Sequence, residues 1–306
     1  MMTLKQLEAF YWAATSANFT VAGERLNVSQ SSLSKRIREL EEQFGRELFD
    51  RSGHKAILTE YGRTLLPLAR KFLESADEMC AVMTDDATLR GDCRFGVGEF
   101  SSLTWLPEFV ARARIQFPNL LLAPTVDIGA EMQQHLEDGV LDFAIIAGSS
   151  SRESVACEPL VDLRFHWGGH PSLLGSQRNL TAALLRKVAM ITMPDGAGAA
   201  RMVQEWLTTS DLQAAQRLTC NSLAAITGLV IAGIGISVFP ENWLRNLEGK
   251  GLLARIECDP ALPIQHYYFH WRRGDNRLVI RKTRELARQV VNFNVPITLL
   301  RSLSLT

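Results

Sequence analysis

Neither sign of charge is in surplus in this sequence. Lys and Arg together number 33, and Asp and Glu also number 33. That excludes a polybasic tail or a wholesale nucleic-acid coat and leaves room only for a locally basic face. Cysteine is sparse. Cys80, Cys93, Cys157, Cys220 and Cys258 lie far apart, form no CxxC pair and are odd in number. This argues against a disulfide framework or a zinc site, and they read as small buried hydrophobes in a reducing compartment. Long apolar runs are missing too. The longest, Leu229–Pro240, is interrupted by Gly233 and Gly235 and falls short of the ~18 residues that span a bilayer. The opening MMTLKQLEAFYWAATSANF has no basic segment followed by an apolar one, the pattern of an export signal. We therefore expect a soluble, cytoplasmic chain with no membrane partner. The sequence does offer 306 residues at 46% hydrophobic content, enough for a core and for about two domains.

Residues 4 to 89 read as helix with two interruptions, and strand and helix signals alternate from Gly91 onward, so a boundary is expected near Arg90–Gly91–Asp92. Leu4, Leu7, Phe10 and Tyr11 recur at helical spacing. Thr20 is a candidate cap for a helix Val21–Leu26, Asn27 suits a tight turn, and Ser29 is a candidate cap for Gln30–Phe44, which Gly45 stops. In that second helix Leu33, Ile37 and Leu40 form the buried stripe, and Gln30, Ser31, Ser34, Lys35 and Arg38 face outward. Between Arg25 and Arg38 stand four basic residues (Arg25, Lys35, Arg36, Arg38). This pattern is a helix-turn-helix whose second helix suits the major groove, with Gln and Ser offered to base edges and Lys and Arg to guanine or phosphate. Leu48–Phe49 and Ile57–Leu58 flank Asp50–Arg51–Ser52–Gly53–His54–Lys55, a hairpin whose tip presents basic side chains. Together they form a winged helix-turn-helix. Glu60–Thr88 then reads as one helix of about 43 Å, kinked locally at Pro67. Its seam of Leu65, Leu68, Phe72, Met79 and Met83, with Ala69 and Ala76, calls for a partner helix; packing on the chain's own second domain is the alternative.

The run NFTVAGERLNVSQSSLSKRIRELEEQFGRELFDRSGHKAILTEYGRTLL resembles the DNA-binding region of the LysR-type transcriptional regulators. The resemblance places base-reading positions at Gln30, Ser31, Ser34 and Lys35, and backbone contacts at Ser29, Arg36, Arg51, Ser52 and Lys55. Two departures stand out. Gly23 occupies a position usually held by Ala, at a cost of about 1 kcal/mol in helix propensity. Lys35 stands where Arg is common, giving a point charge in place of a bidentate fork. The family's linker helix dimerises.

From Cys93 the order is strand (CRFGVG), helix (Leu103–Phe117), strand (Leu120–Asp127), helix (Ala130–Asp138), strand (Leu141–Ala147), which predicts a mostly parallel sheet. Further strands are expected at Arg164–Gly169, Val188–Thr192, Leu218–Asn221, Ile234–Phe239 and His266–Trp271. Helices are expected around Ala199–Leu207, Ser222–Ala232 and Val279–Phe293. FGVGEFSSLTWLPEF, LEDGVLDFAII, His170–Pro171 and CNSLAAITGLVIAGIGISVFP resemble the same family's effector domain, an α/β fold of two subdomains similar to periplasmic solute-binding proteins. The expected organisation is 1–58 (winged helix-turn-helix), 59–90 (linker helix) and 91–306 (effector domain, with subdomain I about 91–163 and 266–306 and subdomain II about 164–265).

Ligand sites in open α/β sheets lie at the carboxyl ends of strands, where helix N-termini present N–H groups to anions. Four such places are Phe100–Ser101–Ser102, Gly129 with Ala130, Pro194–Asp195–Gly196, and Asn221–Ser222. They suggest a small organic anion with an apolar or aromatic part. Gly96–x–Gly98 begins like a dinucleotide fingerprint but lacks the third glycine, since residue 101 is Ser, and no HExxH, P-loop or GxSxG is present. His135, His166 and His170 lack metal-ligand spacing, Cys220 and Cys258 lie too far apart to read as a redox pair, and Arg272–Arg288 reads as a solvated helix face. Neither a cofactor, a metal nor an enzyme is expected. The resemblance implies a ligand-responsive regulator that binds double-stranded DNA at an interrupted inverted repeat, dimerises through its linker helix, assembles to a tetramer, and can contact RNA polymerase.

Overall fold

The computed structural model describes residues 2–53, 56–83, 89–175 and 178–294. The N-terminal head is built from α1 (Leu4–Thr15), α2 (Phe19–Arg25), α3 (Gln30–Phe44) and the two-residue strands β1 (Phe49–Asp50) and β2 (Ile57–Leu58), which pair antiparallel. Local chemistry sets each boundary. Thr3 and Gln6 form a capping box on α1, and the Ser29 hydroxyl accepts from the Ser32 N–H at the start of α3. α3 ends at Gly45 in the left-handed conformation, φ 62°. The cap of α2 is Asn18, whose side chain accepts from the Val21 N–H, and not the expected Thr20, so the helix begins two residues early. Asn27 makes the turn at φ 51°. Gly23 belongs to that turn as well: a methyl there would stand 2.9 Å from the Val28 carbonyl oxygen, so α2 approaches the turn more closely than a larger residue allows. Leu7, Phe10, Leu33, Ile37, Leu40 and Phe49 make one core.

α4 (Glu60–Met83) leaves the head as a single helix with Pro67 inside it. The expected seam splits across two faces. Leu65 and Ala69 turn in and pack on the head's core, whereas Leu68, Phe72 and Met79 are exposed.

The remainder forms two five-stranded sheets with strand orders β4-β3-β5-β12-β6 and β11-β7-β10-β8-β9. The first comprises β3 (Gly91–Val97), β4 (Leu120–Val126), β5 (Phe143–Ala147), β6 (Val155–Leu163) and β12 (Gln265–Arg272). The second comprises β7 (Phe165–Gly169), β8 (Ala189–Thr192), β9 (Arg217–Thr219), β10 (Gly235–Pro240) and β11 (Ala254–Ile256). The helices between them are α5 (Glu99–Leu103), α6 (Leu106–Gln116), α7 (Gly129–Glu137), α8 (Pro171–Leu174), α9 (Ala182–Lys187), α10 (Gly198–Thr209), α11 (Leu223–Ile231), α12 (Glu241–Gly249) and α13 (Leu278–Val290). The chain crosses to the second sheet after β6 and returns with β12, which inserts between β5 and β6. The sheets are mixed, not mostly parallel: β3, β4 and β5 run parallel, but β12 is antiparallel to both of its neighbours. In the second sheet β8 is parallel to β9 and β10, and β7 is antiparallel to β10 and β11. Phe95, Phe143 and Phe269 stack across the first sheet with ring centroids 4.9 and 4.7 Å apart, joining β12 to the parallel strands.

Candidate functional site

Two surfaces carry chemistry: the outer face of α3 and the cleft between the sheets. On α3, Gln30, Ser31, Lys35 and Arg38 are exposed and Ser34 is half-buried, opposite the stripe Leu33, Ile37 and Leu40. Ser29 organises the first turn, with its hydroxyl 2.8 Å from that of Ser31 and 3.0 Å from that of Ser32. Arg36 is half-buried on the flank. At the wing, buried Glu41 accepts the Leu48 and Phe49 N–H groups and pairs with Arg51 at 2.9 Å, so Arg51 is partly committed within the head. The Ser52 N–H caps the Asp50 carboxylate and, with the Ser52 side chain, holds that carboxyl below its ordinary range. Lys55 and His54 lie outside the described residues.

One expected groove cation is not on this face. Arg25 is buried (side chain 2% exposed) and forms a two-pronged pair with fully buried Asp142, both arms at 2.8 Å, while its Nε donates to the Gly139 carbonyl. Arg277 reaches the same carboxylate at 2.6 Å and also pairs with Asp275. Arg25, Arg272 and Arg277 surround the Trp12 indole, each guanidinium carbon 4.8–5.0 Å from a ring centroid. Burial alone would raise the Asp142 pKa, but the charges of Arg277 and Arg25 and their hydrogen bonds hold it at about 2. The stretch from Arg272 is thus no simple solvated face: Arg272 and Arg277 seat the head on the first sheet, and the Arg272 Nη1 donates to the Thr15 carbonyl.

The cleft encloses a cavity of about 320 Å³ at the carboxyl ends of the parallel strands of both sheets. Of the expected residues, Phe100, Gly129, Asn221 and Ser222 line it. Four others do not. Ser101 is fully buried beside it with its hydroxyl unpartnered, and the Ser102 hydroxyl turns back to the Glu99 carbonyl, because α5 closes at once on itself. Pro194 is not in the wall. Asp195 points outward to Arg217 in a separate, shallower hollow. Sequence reasoning missed Glu99, Asp127, Ile128, Ile146, Phe165, Ile226, Val238 and Tyr267, all of which line the cavity. Glu99 opens α5 on one subdomain, and its carboxylate accepts from the Ser222 hydroxyl at 2.9 Å and from the Leu223 N–H across the cleft. Asp127 binds its own neighbour, the Ile128 N–H, at 2.7 Å. Among the described residues no Lys, Arg or His lines the cavity. At the start of α11 the expected anion seat is therefore occupied by a carboxylate of the chain itself, whereas the N-termini of α5, α7 and α10, which also face the cavity, carry no side-chain cap.

Residues 86–292 match the LysR substrate binding domain, and residues 4–63 match the bacterial regulatory helix-turn-helix protein, lysR family. The chain belongs to the LysR family. It is 28% identical over 272 residues to the HTH-type transcriptional regulator PecT of Dickeya dadantii (strain 3937), covering 87% of this chain and 81% of that one. A full-length OxyR variant from Pseudomonas aeruginosa shares the fold with a TM-score of 0.64 at 22% identity, over 95% of this chain and 96% of that one. ArgP from Mycobacterium tuberculosis does so with a TM-score of 0.64 at 23% identity, over 93% and 95%. This LysR-family chain is a DNA-binding transcriptional regulator with an effector-binding domain, not an enzyme. No helix among its described residues is long and apolar enough to cross a membrane.

Proposed function

We propose that this LysR-family regulator reads an interrupted inverted repeat as a dimer and responds to a small organic effector in the cleft. The observation that carries the DNA reading is the outward face of α3, where Gln30, Ser31, Ser34 and Lys35 project away from the buried stripe. Those groups take the base edges, and Ser29, Arg36, Arg51, Ser52 and Lys55 take phosphates. Dimerisation uses the exposed stripe of α4, two dimers join through the effector domains, and the heads fall on half-sites about 34 Å apart or a multiple of that. The assembly can recruit RNA polymerase. The working units are residues 1–58, 59–90 and 91–306. Effector binding in the cleft changes how the two subdomains close and so the spacing of the heads.

The test is a footprint on the region upstream of the chain's own gene in dilute salt. Protection should fall on two dyad-related half-sites, and Lys35→Ala should weaken both. Protection of a single unpaired segment refutes the dimeric reading.

A further inference from the structure

The effector's charge is written in the cleft. α11 is nine residues long and its N-terminus, like those of α5, α7 and α10, faces the cavity, where it could hold a ligand's negative charge. Here that seat is filled from within: Glu99, carried on the opposite subdomain, takes the Ser222 hydroxyl and the Leu223 N–H. A second carboxylate, Asp127, stands in the same wall, and no cationic side chain among the described residues answers either acid. The rest of the wall is mostly apolar, with Val126, Ile146, Phe165 and Ile226 prominent. Tyr267 adds an independent observation. It is only 8% exposed, it lines the cavity, and its hydroxyl has no hydrogen-bond partner among the described residues. Burial pushes that hydroxyl's pKa up, so it enters the cavity as a neutral polar group.

We infer that the cleft takes a cationic small molecule, an ammonium group on an apolar body, and that Glu99 acts as a built-in carboxylate that excludes organic anions. The assignment rests on reading the cleft as the effector site. An anion entering would stand beside two like charges with the terminus of α11 already satisfied and no cationic side chain among the described residues to meet it, an arrangement that costs affinity. A carboxylate has about four acceptor positions, so Glu99 keeps some free after binding Ser222 and Leu223. An ammonium has three donors to share between Glu99, Asp127 and the oxygen of Tyr267. A cavity of about 320 Å³ suits a small molecule of this kind.

The full-length chain should be titrated calorimetrically with matched phenylalkylamines, phenylalkanols and phenylalkanoates. Three variants accompany it: Glu99→Gln, Asp127→Asn and the cavity-filling Ala199→Trp. The amines should bind at least about tenfold tighter than the carboxylates, and Glu99→Gln should erase or reverse that ratio. Asp127→Asn, at an exposed position that leaves the Glu99 clasp intact, should weaken the amines on its own. Carboxylates binding the unaltered chain as tightly as amines, with Ala199→Trp abolishing both, overturns the charge assignment and keeps the cleft. Amine binding untouched by Ala199→Trp overturns the cleft as the site. Failure of every amine to bind overturns the charge assignment.

Discussion

Lys35 is exposed on the outward face of α3, so its loss should cost contact with DNA and little else. Lys35→Ala should weaken operator binding by about 1–3 kcal/mol if the ammonium meets a guanine edge. If it meets a phosphate, the loss should be uniform across sequences, with the salt slope reduced by about one. Gel shifts at several salt concentrations, on operator and scrambled DNA, separate the two. His270 poses the opposite case, a titratable group shut away from solvent. It lies buried in the middle of β12 with one nitrogen on the Gly148 carbonyl at 3.0 Å and the other unpartnered. Burial, aided by the charge of Arg201 and only partly offset by the Gly148 contact, pushes its pKa down to about 4. The unfolded chain, with an ordinary value of 6.5, takes up the proton first as pH falls. The stability from keeping His270 neutral is complete above pH 6.5 and lost as pH falls through the window down to about 4, at roughly 1.4 kcal/mol per pH unit. Urea unfolding across that window should show the slope in the native chain, and His270→Gln should flatten this part of it.

At the scale of elements, α4 makes the clearest statement. Its 24 residues extend about 36 Å, with one face spent on the head and another left apolar. Tyr61, Leu68, Phe72 and Met79 lie on the open face, Tyr61 partly covered by the Arg46 guanidinium at 4.8 Å. Steps of seven, four and seven residues keep that stripe aligned along a supercoil. Phe72→Glu should place a charge in the seam without disturbing Leu65 or Ala69, which pack on the head. Sedimentation should show the dimer dissociating, and operator affinity should fall with it while the melting of the effector domain stays put. The seam's existence was legible in the sequence and its division between two faces was not, because helical spacing alone cannot say which neighbour each residue meets. The same limit appears elsewhere. α3 was legible to the residue, since Ser29 and Gly45 act locally. The start of α2 was not, because Asn18 and Thr20 are both competent caps. β6 was missed because Pro159 interrupts its pattern; the residue is tolerated on an edge strand where pairing with β12 slips register. Glu99 went unread for the same reason as Arg25: its partner is 123 positions away along the chain.

At the scale of the whole molecule, the head and the cleft are joined by two strands. β5 begins just after Asp142, under Arg25, and ends at Ala147 in the cavity wall. β12 runs the other way, from Tyr267 at the cavity to Arg272 against the Thr15 carbonyl. A strand of five residues spans only about 17 Å, so closure of the cleft and seating of the head act on the same short, rigid elements. The seat itself is costly to break. Removing the Asp142 charge leaves Arg25 and Arg277 buried without their shared partner, a loss of about 3–5 kcal/mol for a pair of this kind. Because the Asp142 carboxyl is held at about 2, below its ordinary value of 3.8, its contribution is whole above pH 4 and lost as pH falls toward 2. Asp142→Asn should therefore lower the melting temperature at neutral pH and narrow its gap from the native chain below pH 4. Trp12→Ala offers a gentler cut: it removes the ring that holds the three guanidiniums in place, so that Arg25 loses its hold on Asp142 while Arg277 keeps the carboxylate paired. Small-angle scattering should then show a larger radius of gyration, with effector affinity in the cleft unchanged. The effector-dependent change in the DNA footprint should disappear, because a head released from β5 and β12 no longer feels the cleft close. If the footprint still responds in Trp12→Ala, the signal reaches the DNA through α4 or through another subunit, and the Trp12 cage is a structural seat alone.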